Sequence, residues 1–140
     1  MNTAQDNQLQ QLYQQSKNQL SELVFIDDEM KFIRSLMDKF FLPMIHDHHV
    51  NRVQLINSCL SQLSLVKANV ARDLLTHQGE LFSHINGVLS KSIDFLNLVN
   101  ERMEAEVKDL NKSLRSIKKD LFVVYKELTY RYPQMQPVIS

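Results

Sequence analysis

Apolar residues recur along this chain at spacings of three and four, the period of an α-helix. No stretch of four or more residues alternates apolar and polar with the β-branched enrichment of a strand. In the first third, Leu9, Leu23, Met30 and Met37 repeat in sevens beside a second seam of Leu12, Ile26, Ile33 and Phe40, with Ser16 and Gln19 as polar exceptions. The pattern predicts one amphipathic helix of about five heptads. It starts near Thr3, where Asp6 gives a capping signal, and stops near Phe41, because Pro43 disfavours helix in the residue before it. Few apolar anchors hold the glutamine-rich opening turns, so residues 1–8 are expected to fray.

A second stripe runs through Val50, Val53, Ile56, Leu60, Leu63, Val66, Val70 and Leu74, with Asp47 as N-cap, and is expected to stop between Thr76 and Gly79. The third stripe pairs Ile93, Val107, Leu114, Leu121 and Leu128, interrupted by Asn100, with Leu96, Met103, Leu110, Ile117 and Val124. Pro133 closes it after Tyr132 and leaves 133–140 as a flexible tail. Between the second and third stripes, Leu81, Phe82, Ile85, Val88 and Leu89 keep the helical pattern across Asn86-Gly87, so the chain has two candidate break points. A break at Gly79 alone gives a last helix of 52 residues, about 78 Å, against a second helix of about 30 residues and 45 Å. The uncovered seam would then need a partner chain. A further break at Gly87 makes 80–86 a short connector and shortens the last helix to about 44 residues.

The expected fold is therefore all-α. One domain over 1–132 holds three long antiparallel helices, with four as the runner-up, in a coiled-coil-like bundle that self-associates through its longest helix.

Composition narrows the function. Two Gly and three Pro in 140 residues stand against roughly 17 at average usage. That scarcity fits long helices and leaves no glycine-rich phosphate loop or nucleophile elbow, so a non-enzymatic protein is expected. Ile, Leu, Val and Phe total 46 residues, enough to build a core. Sixteen basic residues balance sixteen acidic ones, which gives no global attraction to nucleic acid or to a membrane surface. Cys59 is the single cysteine, so no intrachain disulfide forms and a reducing cytoplasm is the expected location. Its neighbours Leu55, Ile56, Leu60 and Leu63 predict a buried, inert thiol. Residues 1–7 lack an export pattern, and no apolar run approaches the ~18 residues of a membrane span.

The five histidines all lie between His46 and His84. Imidazole is a common metal ligand, so His46, His48 and His49 form one candidate metal site and the stripe Asp73, His77, Glu80 and His84 a second, either holding a divalent transition metal. His48 and His77 would stand about 43 Å apart on a straight helix, so the five cannot share one intrachain site. The plainer expectation for both groups is solvated surface, with no cofactor. A basic stripe, Lys108, Lys112, Arg115 and Lys119, makes nucleic-acid binding a further alternative. Interleaved Glu104, Glu106, Asp109 and Asp120 favour pairing with the first helix or solvation instead.

A protein partner is the leading expectation, most simply a second copy in a homodimer. Asn100 breaks an apolar seam in the way that fixes register in coiled coils. Phe41, Leu42 and Met44 belong to an unusually apolar turn that either caps the core or forms a patch. Tyr125, Tyr130, Arg131 and Tyr132 cluster near the C-terminus, and Tyr and Arg are residue types that dominate interface energetics. The stripe Met30, Met37 and Met44 reads as core.

Overall fold

The sevens from Leu9 to Met37, interrupted only at Ser16, produce a first helix, α1, over Thr3–Leu36, which runs directly into a π-helical turn at Met37–Phe41. The computed structural model describes residues 3–41, 47–88 and 91–131, and contains two more helices, α2 (Asp47–Ile85) and α3 (Ile93–Arg131). Among the described residues there is no strand. The wider π turn carries the seam one residue further than a regular helix would. Phe41 is therefore the fully buried ring, and Phe40, expected in the seam, is half-buried with its ring edge-on to Phe41 at 5.1 Å. Phe41 caps the core and forms no exposed patch; Leu42, Met44 and Pro43 lie outside the described residues.

Pairs between helices fix the topology. Asp27 meets Lys67 and Arg34 meets Ser61, so position rises on α1 as it falls on α2. Gln15 meets Asn100 and Glu29 meets Lys118, so α1 and α3 run parallel, while Arg52–Glu127 joins the antiparallel α2 and α3. The result is an up-down-up three-helix bundle. Leu9 and Leu12 pack with Leu81 and Leu96 in one apolar cluster, and a longer one extends from Leu23 to Phe41 along α1. The glutamine-rich start is helical from Thr3, held by Leu9 and Leu12.

Two expectations for α2 are corrected. Val66 is exposed, and half-buried Lys67 takes its place in a seam of Val53, Leu60, Lys67, Leu74 and Leu81. The helix also passes straight through Gly79, whose missing side chain faces open space. It continues because Leu74, His77 and Leu81 keep burying the same face. The stop comes at Asn86-Gly87. Val88 N donates to Ser83 O at 2.8 Å, Gly87 N donates to His84 O at 3.1 Å, and Gly87 has φ +83°. This is a Schellman terminus, which needs a residue free to adopt the left-handed conformation. Ser92 then caps α3, accepting the Phe95 N–H at 3.1 Å. No separate connector helix forms from 80–86, and α2 and α3 are both 39 residues long. The length mismatch that would have left a seam for a partner chain is absent.

The two glycines should respond oppositely to alanine. Gly79→Ala is expected to stabilise the protein by about 0.5–1 kcal/mol, and Gly87→Ala to destabilise it by about 1–2 kcal/mol, in urea unfolding. Equal effects of the two would contradict this assignment of the helix stop.

Candidate functional site

Between the two apolar clusters the seams turn polar. Ser16 and Gln19 on α1, His77 on α2 and Asn100 on α3 are all buried. Asn100 Nδ2 donates to Gln15 Oε1 at 2.8 Å, and Ser16 Oγ donates to the Tyr13 carbonyl at 2.6 Å. Among the described residues, Asn100 Oδ1, Gln19 Oε1 and both ring nitrogens of His77 have no hydrogen-bond partner within the distance limits of a hydrogen bond. Burial holds the His77 imidazole below the ordinary histidine range; the Asn100 side chain beside it and the Glu80 carboxylate oppose this only in part. Asn100, expected to fix register, is buried in the seam of its own chain and joins α3 to α1 through Gln15. It is not available to a partner.

A neighbouring polar position links α1 to α2. Lys67 Nζ binds Asp27 Oδ1 at 3.0 Å, and Lys31 binds Asp27 Oδ2 at 3.0 Å. The hydrogen bonds from Lys67 and then Lys31 hold the Asp27 carboxyl below the usual carboxylate range.

The second candidate metal stripe does line one helix face, because α2 stays helical through Gly79. His77 and His84, however, point into the bundle, while Asp73 and Glu80 stand half-buried at its flank. Among the described residues no group of three His, Cys, Asp or Glu side chains is arranged to hold a metal ion. His46 and the side chains of His48 and His49 lie outside the described residues. Cys59 is exposed rather than buried: it precedes Leu60 by one residue, about 100° around the helix, which turns it off the core face.

The open surface lies along α3. On its α1 side a groove of about 460 Å³ is lined by Phe25, Phe32, Leu36, Phe122 and Tyr125. Phe25 is 62% exposed, Phe32 50% and Phe122 53%. Tyr125 stacks on Phe122 with ring centroids 6.1 Å apart, and Lys126 Nζ lies 4.7 Å from the Phe122 centroid. The Lys118–Glu29 ion pair bridges the two helices there. No family model, curated protein or solved structure matches the chain. The geometry alone therefore bears on function.

Of the C-terminal cluster, Tyr125 lies in this groove and Tyr130 is solvent-exposed, while Tyr132 and the Arg131 side chain lie outside the described residues. In the basic stripe, Lys108 pairs with Glu104 at 3.7 Å within α3. The expected pairing to the first helix is made by Lys118 instead. Phe25, Phe32 and Phe122 carry a sequence signal of their own, as large aromatics spaced off the heptad positions. Lys67, His77 and His84 carried another, since they continue the sevens of α2 without interruption.

His77 gives a pH signature. Its folded-state pKa is lowered, so its contribution to stability is fully present above the unfolded value of 6.5 and is lost as pH falls below it. Wild type should lose up to about 1.4 kcal/mol per pH unit on this account below pH ~6.5, and His77→Leu should not. Asp27 acts in a separate window, its contribution being lost only below the ordinary carboxyl value of 3.8. Parallel stability curves for wild type and His77→Leu between pH 7 and 5 would contradict the assignment.

Proposed function

We propose that this chain is a non-enzymatic helical interaction and assembly module that forms a homodimer through the α1/α3 groove. The observation that carries the reading is the exposure of Phe25, Phe32 and Phe122 in one groove beside Tyr125. Single exposed apolar residues are ordinary, but a contiguous aromatic patch in a concave surface marks an interaction site. Aromatic rings lose little conformational entropy on docking and bury large areas, which is why they dominate interface energetics.

Self-association through the heptad seams themselves is not supported, because those seams face the chain's own core. The partner surface must be an outer one. No helix among the described residues is long and apolar enough to cross a membrane. The single, exposed thiol of Cys59 suits a reducing, cytoplasmic setting.

Sedimentation equilibrium at about 300 mM salt, where surface charge is screened, is the test. Wild type is expected to dimerise. Phe25→Ser/Phe32→Ser/Phe122→Ser is expected to weaken dimerisation by at least about 100-fold while its unfolding midpoint barely moves, since these rings are already exposed. A wild-type protein that stays monomeric over the whole concentration range overturns the reading.

A further inference from the structure

α3 carries two faces of opposite charge. Toward α2 it presents Glu106, Asp109 and Asp120, which with Asp73 of α2 rim a groove of about 530 Å³ floored by Val66, Val70 and Ile117. No lysine or arginine lines this groove. Among the described residues only Asp73 of the four carboxylates meets a cation, Arg72 at 3.9 Å, and Glu106 Oε2 is buried without a hydrogen-bond partner. Such a groove has an apolar floor and an uncompensated acidic rim. It suits a helix whose exposed face is basic, because cations there would meet carboxylates while the methylene stems of lysine cover the floor.

The same helix supplies that face. Lys112, Arg115 and Lys119 are exposed and make no ion pair among the described residues, where Lys108 reaches only Glu104. Their stretch, 108–119, is about 17 Å long, and the acidic stretch 106–120 is about 21 Å. Both are centred within one residue of Ser113, so the acidic and basic stretches span the same part of α3.

We infer that the α2/α3 groove receives the basic face of α3 from a second copy of this chain. The inference rests on the self-association reading but uses a different surface from the aromatic groove. The two partners offer unlike faces, so the contact is heterologous and does not close at a dimer by symmetry. It is also salt-sensitive, since its specificity is carried by exposed charge.

The test separates this contact from the aromatic one by working in full-length Phe25→Ser/Phe32→Ser/Phe122→Ser protein. Sedimentation velocity is run at about 20 mM and about 300 mM salt. Two derivatives reverse exposed charges only: Asp109→Lys/Asp120→Lys in the groove, and Lys112→Glu/Lys119→Glu on the basic face. Circular dichroism checks that both remain helical. The parent is expected to associate at low salt, and each derivative alone to associate at least about tenfold more weakly. An equimolar mixture of the two should recover association to within about threefold of the parent, because the reversed groove of one meets the reversed face of the other. A mixture that stays monomeric, or single derivatives that associate like the parent, overturns the inference. If the parent is monomeric at low salt while wild type dimerises, the inference fails and the homodimer reading stands. If a basic amphipathic Leu/Lys peptide occupies the groove of a parent that does not self-associate, the occupant is a foreign helix and the second-copy assignment is wrong.

Discussion

Each helix of this protein closes the seven-residue seams of the other two, and the remaining features depend on that closure. α1 with its π turn runs from Thr3 to Phe41, and α2 and α3 each span 39 residues, about 58 Å at the rise of an α-helix. Matched lengths leave no seam uncovered. The two ends of α2 set the match: Gly87 stops it in a Schellman turn, and its first turn begins at Asp47. Had the chain broken at Gly79, Leu81 would have lost its place against Leu9, Leu12 and Leu96.

The polar layer gives the closure its register. A buried polar atom without a partner costs about 1–3 kcal/mol, so Gln19, His77 and Asn100 are poor choices for stability alone. They do penalise the alternatives. A slip of one heptad by α1 or α3 would break the Gln15–Asn100 hydrogen bond, and one by α2 would move His77 toward a flanking apolar cluster, whereas an all-apolar seam would tolerate either slip. The Asp27–Lys67 pair adds a second such marker between α1 and α2. Polar residues inside the seams thus specify one arrangement of helices whose apolar positions are nearly interchangeable.

Much of this was legible from spacing. Ser16, Gln19 and Asn100 stood out as interruptions of regular sevens, and all three are buried where the repeat puts them. The same repeat in α2 was harder to follow, because Lys67, His77 and His84 occupy three of its positions. With His77 and His84 polar, the apolar stripe thins after Leu74, and Gly79 reads as a stop. Local propensity was the weaker signal there: a glycine costs a helix about 1 kcal/mol, and the continuing buried face at Leu74, His77 and Leu81 outweighs it. Phe41 in place of Phe40 could not be read at all, since a π turn has no spacing signature of its own. Neither could the grooves, because Phe25, Phe32 and Phe122 share a site only once α1 and α3 run parallel.

With the seams facing the chain's own core, α3 presents two outer grooves, one aromatic toward α1 and one acidic toward α2. That division between a closed core and an open flank is the central claim. It is tested most directly by unfolding a mixture of unlabelled and ¹⁵N-labelled protein together, refolding, and joining Lys67 to Asp27 and Lys118 to Glu29 with a zero-length carbodiimide. The account expects each cross-linked peptide pair to carry a single isotope label, because both bridges form within one chain. Mixed-label pairs at the statistical ratio would show the helices closing between chains and would contradict it.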